Sequence, residues 1–246
     1  MHLDCPPIVG LNDYTEALFP RLICPVIFLP YCNLGCPFCI NSSAVAPKGN
    51  QQMISVEEVL THLKENNEDH ICISGGEPCI YPGLPNLVDT LRTNGIRVGV
   101  STNGTKPIML RTLVEKHDLA FVAMDIKCSV MNYAKTATLL GGTYTPNEFA
   151  SDVMTSLLFL LSVDPKEVSI EFRTTLYPPL VNDLDIRWIG KLLGKDASWV
   201  LQQFRSTADL LGGSVAAAVK PYEQAEVDRL LSLAKKMVPN TNLRWI

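Results

Sequence analysis

Three cysteines grouped within eight residues are the part of the sequence with the clearest chemical potential. Cys32, Cys36 and Cys39 are spaced C-x3-C-x2-C, so one loop can wrap all three thiols around a single inorganic centre. Iron-sulfur clusters are bound by thiolates, and a cubane with four irons normally takes four of them. Because only three are supplied locally, one iron would stay open for direct chelation by a small molecule.

Two other uses of these cysteines remain open at this point. A structural zinc site needs a fourth ligand at a matching spacing, and the next candidate, His62, lies on the solvent face of a predicted helix. Disulfides or inert core cysteines are the second alternative, although reducing compartments seldom use disulfides. The other cysteines are scattered and are interpreted as buried small hydrophobes: Cys5, Cys24, Cys72, Cys79 and Cys128.

The elements that must position this loop alternate between short apolar runs and amphipathic stretches, a pattern typical of βα units that build a parallel sheet. Capping boxes at Ser55 with Glu58 and at Thr145 with Glu148 predict two helix starts. Further helices are predicted over 85–93, 107–116, 185–193 and 221–237, while the segment 206–219 has no clear assignment. Six strands are predicted, over 24–29, 70–74, 97–101, 119–124, 168–173 and 199–204.

Polar, glycine-containing or cysteine-containing residues follow each predicted strand at its carboxyl end. In chain order these segments read PYCNLGCPFC, SGGEP, STNGT, MDIK, RTT and QQFR. Active sites of parallel α/β folds are built at this edge because the loops converge around the strand ends. The cysteine loop and the five other segments are therefore predicted to meet in one site.

With this cysteine spacing and these strand-end segments, the sequence resembles the radical S-adenosylmethionine (SAM) superfamily from about residue 10 to about residue 205. The resemblance implies an α/β fold, a partial (β/α)6 TIM-like barrel with a parallel sheet, open at one side. It also implies a 4Fe-4S cluster on Cys32, Cys36 and Cys39, whose free iron is chelated by the amino and carboxylate groups of SAM. On reduction, SAM is cleaved to a 5'-deoxyadenosyl radical that abstracts hydrogen from a substrate.

The GGEP segment is the first of the SAM contacts that the resemblance implies. In families with this motif the element recognises the methionine amino group, which assigns that role to Gly75, Gly76 and Glu77. The two glycines would permit close backbone approach to the ligand, and Glu77 would offer a carboxylate or nearby carbonyls to an ammonium group. Taken alone, such a turn is an ordinary βα loop.

The segments containing Ser101, Asn103, Asp125 and Lys127 are similar to motifs that line the SAM pocket of glycyl-radical-enzyme activases. Asn103 and Asp125 could hydrogen-bond ribose hydroxyls or a cation, and Lys127 could meet a carboxylate. An ordinary Asn-Gly turn and a solvated ion pair are the structural alternatives. Ser101 stands where activases of the pyruvate formate-lyase type carry an acidic residue, which speaks against a bound monovalent cation.

The segments around Arg173 and Arg205, together with AMDIK, are similar to single-cluster activating proteins of anaerobic ribonucleotide reductase. Either arginine could contact the SAM carboxylate or the partner, or form a structural ion pair. Ile40 departs from that subgroup, since its members commonly have histidine directly after the third cysteine. No catalytic side chain is expected beyond the cluster and SAM.

The leading hypothesis is an anaerobic activase that installs a glycyl radical on a partner enzyme, with a flavodoxin or ferredoxin-like electron donor. A minimal core without a cysteine-rich insert suits a protein substrate that closes over the barrel mouth, and the loop 129–144 is expected to order when that partner docks. The first rival is a radical SAM enzyme acting on a small molecule or peptide. The second is a non-catalytic module that binds a metal cluster.

Composition limits the remaining function classes. The 246 residues suit one sizeable core, so we predict a single domain over 1–246, with its core at about 20–205. A net charge of -4, with 21 basic and 25 acidic residues, gives no basic stripe for nucleic acid. No apolar run approaches the length of a membrane span, and no signal peptide is visible, so a cytoplasmic protein without a membrane partner is predicted.

Overall fold

One eight-stranded sheet forms the centre of the fold. The structure, a computed structural model, describes residues 5–19, 22–46, 52–133, 145–207 and 209–245. The strands are β1 (Gly10–Phe19), β2 (Leu22–Leu29), β3 (His70–Gly75), β4 (Arg97–Thr102), β5 (Phe121–Asp125), β6 (Ser169–Leu176), β7 (Trp199–Gln203) and β8 (Thr241–Trp245). They lie in the sheet in chain order, with β1 antiparallel to β2 and every later pair parallel. The sheet is not closed, because β1 and β8 do not pair within the described residues.

Helices connect the parallel strands and cover one face of the sheet. They are α1 (Ser42–Val45), α2 (Val56–Glu65), α3 (Leu84–Thr93), α4 (Pro107–Lys116), α5 (Pro146–Ser162), α6 (Asp183–Leu193), α7 (Gly213–Ala217) and α8 (Gln224–Met237). Both predicted capping boxes are present: the hydroxyls of Ser55 and Thr145 accept from the backbone N–H groups of Glu58 and Glu148. The carboxylates of these two glutamates accept in turn from the backbone N–H groups of Ser55 and Thr145. Among the described residues, no helix has the length and apolar character that crossing a membrane requires.

The predicted α/β fold with an open parallel sheet is confirmed, and β2 to β7 are its six predicted strands. The two outer strands were not predicted. In β1, four polar residues follow Gly10 and Leu11 within the next five positions, so the strand lacks an apolar run. Its pairing with β2 is also irregular, with two register shifts. The last strand, β8, has only five residues, and its Asn242 and Arg244 alternate with the apolar Leu243 and Trp245.

The core has two parts, one on each face of the sheet. The larger part packs the helices against the outer face of the strands. The smaller part lies on the inner face and consists of Cys24, Val26, Cys72, Phe121 and Ala123. Because side chains alternate along a strand, Asp125 and the inner residues Phe121 and Ala123 point to the same side of β5. The inner face is therefore apolar low in the barrel and polar at the carboxyl ends of the strands.

Three further sequence predictions have definite outcomes. Four of the scattered cysteines, Cys24, Cys72, Cys79 and Cys128, are buried as expected, whereas Cys5 is only half-buried. The unassigned segment 206–219 contains the short helix α7 and packs against the cysteine loop. Most of the loop 129–144 lies outside the described residues, which stop at 133 and resume at 145.

Candidate functional site at the carboxyl ends of the strands

A cavity of about 350 Å³ opens at the carboxyl ends of the parallel strands. All three cysteines of the C-x3-C-x2-C loop line it, and so do the strand-end residues singled out in the sequence. The predicted residues that share this cavity are Cys32, Cys36, Cys39, Gly75, Gly76, Glu77, Ser101, Asn103, Asp125, Lys127 and Arg173. The sequence thus predicted which segments meet, and the parallel topology is the reason that they do.

Several residues of the cavity wall were not predicted. Thr175 and Gln202 line it and are partners across β6 and β7, with a distance of 3.5 Å between the Thr175 hydroxyl and Gln202 Oε1. The signal was available, because Thr175 lies two positions after Arg173 on the same strand and so points the same way. Arg205, by contrast, is exposed and does not line the cavity.

The cysteine loop is held by backbone hydrogen bonds on both sides. At its start, Tyr31 has a φ of 58° and donates its N–H to the Ala44 carbonyl at 3.0 Å. At its end, the N–H groups of Leu211 and Gly212 donate to the carbonyls of Cys39 and Pro37, both at 3.0 Å. The left-handed conformation of a non-glycine residue is costly and marks a backbone that its surroundings constrain. The loop is therefore fixed by contacts that do not involve the thiols.

Burial is the main influence on the three thiols. It raises the pKa of Cys36 to about 11, with the nearby Lys127 ammonium acting in the opposite direction. Burial also raises the pKa of Cys39, and it raises that of Cys32 still further with the help of the Glu77 carboxylate. Thiols in such surroundings become thiolates when a metal centre supplies positive charge.

The chemistry of the donor set fits an iron-sulfur cluster. Three thiols from one constrained loop line a cavity that also has room for a ligand, and thiolates are the ligands that such clusters take. Across the described ranges, no three His, Cys, Asp or Glu side chains converge closely enough to hold a single metal ion. Cys32, Cys36 and Cys39 are the residues that would hold the cluster.

Glu77 forms a buried connection between the ends of β3 and β4. Its carboxylate accepts hydrogen bonds from the Thr102 hydroxyl at 2.7 Å, the Asn103 N–H at 2.6 Å and the Cys79 N–H at 3.0 Å. Burial raises the pKa of Glu77, and these hydrogen bonds act against that rise. Because the carboxylate already accepts from three donors, it positions the GGEP segment. The backbone carbonyls of that segment are the other groups that could bind an ammonium group.

Packing within the protein accounts for the two glycines of GGEP. A Cβ at Gly76 would overlap the Tyr31 carbonyl, and a Cβ at Gly75 would overlap the backbone of Leu29. Gly75 also has a φ of 109°, which favours glycine. Both glycines are required because the GGEP segment packs directly on β2 and the start of the cysteine loop. The expected close approach of a ligand to these glycines stays a prediction.

Asp125 and Lys127 form an ion pair at the end of β5, with 2.6 Å between Oδ2 and Nζ. Their side chains are 25% and 14% exposed, so the pair is not the solvated surface pair that was the structural alternative. Although burial by itself lowers the pKa of Lys127, the Asp125 carboxylate and the neighbouring thiols raise it above its usual range. The Lys127 ammonium also lies 5.8 Å from the centre of the Phe38 ring, within the cysteine loop.

Arg173 lines the cavity and also forms a structural ion pair. Its Nε donates to Glu171 at 2.6 Å, and the same carboxylate accepts two hydrogen bonds from Arg244 at 3.0 and 3.1 Å. Glu171 and Arg173 are both nearly fully buried. The structural ion pair expected for Arg173 is therefore present, and contact of Arg173 with the SAM carboxylate or a partner stays a prediction.

Comparison with known proteins assigns the chain to a family. The family model described as the radical SAM superfamily matches residues 26–148, half of the chain. A protein of Methanocaldococcus jannaschii named "Putative glycyl-radical enzyme activating enzyme MJ1227" is 27% identical over 241 residues, which covers 97% of this chain and 96% of that protein. The 7-carboxy-7-deazaguanine synthase of Aquifex aeolicus is 32% identical over 133 residues, 52% of this chain and 57% of that protein.

A solved structure shares the fold. SuiB of Streptococcus suis, bound to S-adenosylmethionine, superposes with a TM-score of 0.61 at 15% identity over 90% of this chain and 51% of that one. The chain thus spans only about half the length of SuiB and of the synthase. The cysteine loop, the open parallel sheet and the family match together identify the class: the chain belongs to the radical SAM superfamily. That family implies SAM and an iron-sulfur cluster as cofactors.

Proposed function

We propose that this protein binds a 4Fe-4S cluster through Cys32, Cys36 and Cys39 and uses it to cleave SAM reductively to a 5'-deoxyadenosyl radical. The observation that supports this most is the shared cavity, which brings the three thiols and the GGEP, STNG and MDIK residues together. The cluster, when bound, would supply the electron for cleavage of the bond between sulfur and C5' of SAM. No side chain of the protein is proposed to take part in that step.

The charges of the cavity wall suit the methionine end of SAM, which carries an ammonium and a carboxylate. Lys127 would meet the carboxylate, because its ammonium is held at the cavity by Asp125. The carbonyls of Gly75 and Gly76 would accept from the ammonium, with Glu77 holding their segment in place. Asp125 and Ser101 would face the ribose, and Arg173 would provide a second cation for the carboxylate.

The proposed role of the radical is to make a glycyl radical on a partner enzyme, such as an anaerobic ribonucleotide reductase. Support comes from the M. jannaschii relative, which aligns over nearly the full length of both chains. Two large apolar side chains at the ends of the cysteine loop are also exposed, Tyr31 at 57% and Ile40 at 53%, and Ile40 lines the cavity. Such residues beside an active-site mouth suit contact with a protein substrate.

The glycine of the partner would lose a hydrogen atom from its Cα, and 5'-deoxyadenosine would be released. The electron for each cleavage would come from a flavodoxin or ferredoxin-like protein. We place the protein, as a single domain, in the cytoplasm of an anaerobic cell, where a reduced cluster and a glycyl radical both survive.

The second candidate function is modification of a small molecule or peptide. It is favoured by the match to 7-carboxy-7-deazaguanine synthase, whose identity of 32% over about half of the chain exceeds that of the longer match. The polar pair of Thr175 and Gln202 on the cavity wall would serve such a substrate.

Electron paramagnetic resonance separates the two candidates. Reduced enzyme, SAM and a glycyl radical enzyme from the same organism, mixed without oxygen, should give a stable organic radical whose main splitting disappears when the glycine Cα is deuterated. SAM cleavage without a protein radical, tested against every glycyl radical enzyme of that organism, would overturn the activase proposal and favour the second candidate. No cleavage at all, in protein with full iron content, would favour a binding module without turnover.

A further inference from the structure

An amide of the STNG segment contacts the sulfur of a proposed cluster ligand. The Asn103 side-chain N–H group lies 3.7 Å from Cys32 Sγ and donates to Asn33 Oδ1 at 3.0 Å. The Asn33 side-chain amide donates in turn to the Thr105 hydroxyl at 2.7 Å, and this hydroxyl donates to Asn103 Oδ1 at 2.6 Å. Asn33, Asn103 and Thr105 thus form a closed ring of hydrogen bonds beside Cys32.

The orientation of the Asn103 amide follows from the backbone. The Thr105 N–H donates to Asn103 Oδ1 at 3.0 Å, and a backbone N–H can only donate. Oδ1 must therefore face Thr105, and Nδ2 must face Cys32 and Asn33. The Asn103 N–H is fixed as well, because it donates to the buried Glu77 carboxylate at 2.6 Å.

Cys32 differs in this respect from the other two cysteines. Its sulfur has one backbone donor, the Leu34 N–H at 3.2 Å, in addition to the Asn103 amide. Within the part of the chain that the structure describes, neither Cys36 nor Cys39 has a side-chain hydrogen-bond donor to its sulfur. Asn103 and Thr105 are 6% and 0% exposed, so water does not compete freely for the ring.

We infer that Asn103 is a positioning residue that orients Cys32 and raises the reduction potential of the cluster, in place of the ribose contact that the family resemblance assigns to it. This inference rests on the proposed function, since it requires the cluster. A reduced cluster has one more electron than the oxidised cluster, and part of that charge lies on the ligand sulfurs. A hydrogen bond to Cys32 Sγ therefore stabilises the reduced form more than the oxidised form.

Two substitutions remove the donor without requiring a new backbone conformation. Asn103→Asp keeps the shape and the oxygen that accepts from Thr105, but it turns a second oxygen toward Cys32. Asn103→Ala removes the whole amide. At a fixed solution potential without SAM, the ratio of reduced to oxidised cluster should fall by about threefold to tenfold in Asn103→Ala. It should fall further in Asn103→Asp.

Thr105→Val is the matched control, because it breaks the same ring and leaves both the Thr105 N–H and the Asn103 amide in place. Its reduced fraction should stay close to that of the wild-type protein. Iron per chain and the reduced fraction would be measured together in a redox titration followed by visible absorbance. SAM affinity would be measured separately on the oxidised proteins.

The outcomes distinguish this inference from the proposed function. A wild-type protein that holds no cluster would overturn the proposed function. A wild-type protein that holds the cluster and cleaves SAM, with Asn103 variants of unchanged reduced fraction and weakened SAM binding, would overturn only the role given to Asn103. Equal shifts in Thr105→Val and Asn103→Ala would also overturn it. Loss of iron from both Asn103 variants, with iron retained in Thr105→Val, would support the orientation of Cys32 by the amide.

Discussion

The two halves of the cavity wall are held together in different ways. From β2 to β4, the cysteine loop, the GGEP segment and Asn103 are joined by backbone, amide and hydroxyl hydrogen bonds around the buried Glu77. At β5 and β6, the wall consists of the ion pairs of Asp125 with Lys127 and of Glu171 with Arg173. From this difference we expect the first half to maintain the shape of the cysteine loop and the second half to present charge to a ligand.

Loss of a cysteine from the first half of the wall should have the largest effect on iron content and SAM cleavage. Cys36→Ala removes one of three local thiolates, so anaerobically reconstituted protein should lose its cluster and all SAM cleavage. Cys128→Ala is the control, since Cys128 is buried away from the cavity. Iron analysis and absorbance near 400 nm give the result. Full iron content in Cys36→Ala would show that the cluster lies elsewhere.

Gly76→Ala should disturb the backbone of the first half of the wall. The new Cβ would overlap the Tyr31 carbonyl, so the cysteine loop must move, at a cost of about 3 kcal/mol in the free energy of unfolding. Iron content should fall together with stability. Gly95→Ala controls for the loss of a glycine: Gly95 has a φ of 83°, and a Cβ there would meet no atom of the described residues within 4 Å. This substitution should cost about 1–2 kcal/mol and leave the iron in place. A stable, iron-replete Gly76→Ala protein with weak SAM binding would show instead that Gly76 is required for the close approach of SAM.

Lys127→Met should distinguish the roles of the two halves, because it removes a cavity charge and leaves the cysteine loop intact. Iron content should remain, whereas the dissociation constant for SAM should rise by about tenfold to a hundredfold with the loss of a charge-assisted hydrogen bond. Calorimetric titration of SAM into oxidised protein measures this. Arg111→Met, which removes an exposed ion pair with Glu115, should leave SAM binding unaffected. Equal affinities for Lys127→Met and the wild-type protein would place the carboxylate of SAM elsewhere.

Thr102→Val should have the smallest effect. It removes one of the three donors to Glu77 while Cys79 and Asn103 keep theirs. We expect the free energy of unfolding to fall by about 1–2 kcal/mol, with iron content unchanged and SAM affinity within about twofold of wild type. Denaturant unfolding measures the change. A loss as large as that in Gly76→Ala would mean that this single hydroxyl maintains the loop.

Much of the site could be predicted because it depends on local sequence and on one topological rule. Cysteine spacing needs no tertiary information, and the carboxyl ends of parallel strands meet at one edge whatever their order. That rule predicts that Asp125 and Lys127 share a cavity with Cys36, and they do. The strand β1 was missed because polar residues interrupt its apolar pattern.

The role of individual side chains was harder to predict, because it depends on contacts between distant segments. Asn33 meets Thr105 across 72 positions of sequence, and no pattern within either segment indicates the pair. Gly76 carried a signal of its own, but the sequence does not reveal whether a ligand or the Tyr31 backbone lies against it. Such questions are decided by packing rather than by residue type.

Reductive cleavage of SAM is the central step of the proposed function, and product analysis tests it directly. Anaerobic protein with its cluster reconstituted, reduced with dithionite and given SAM, should form 5'-deoxyadenosine and methionine in equal amounts. Cys36→Ala, treated in the same way, should form neither. Wild-type protein that holds about four irons per chain, binds SAM and still yields no 5'-deoxyadenosine would contradict the account.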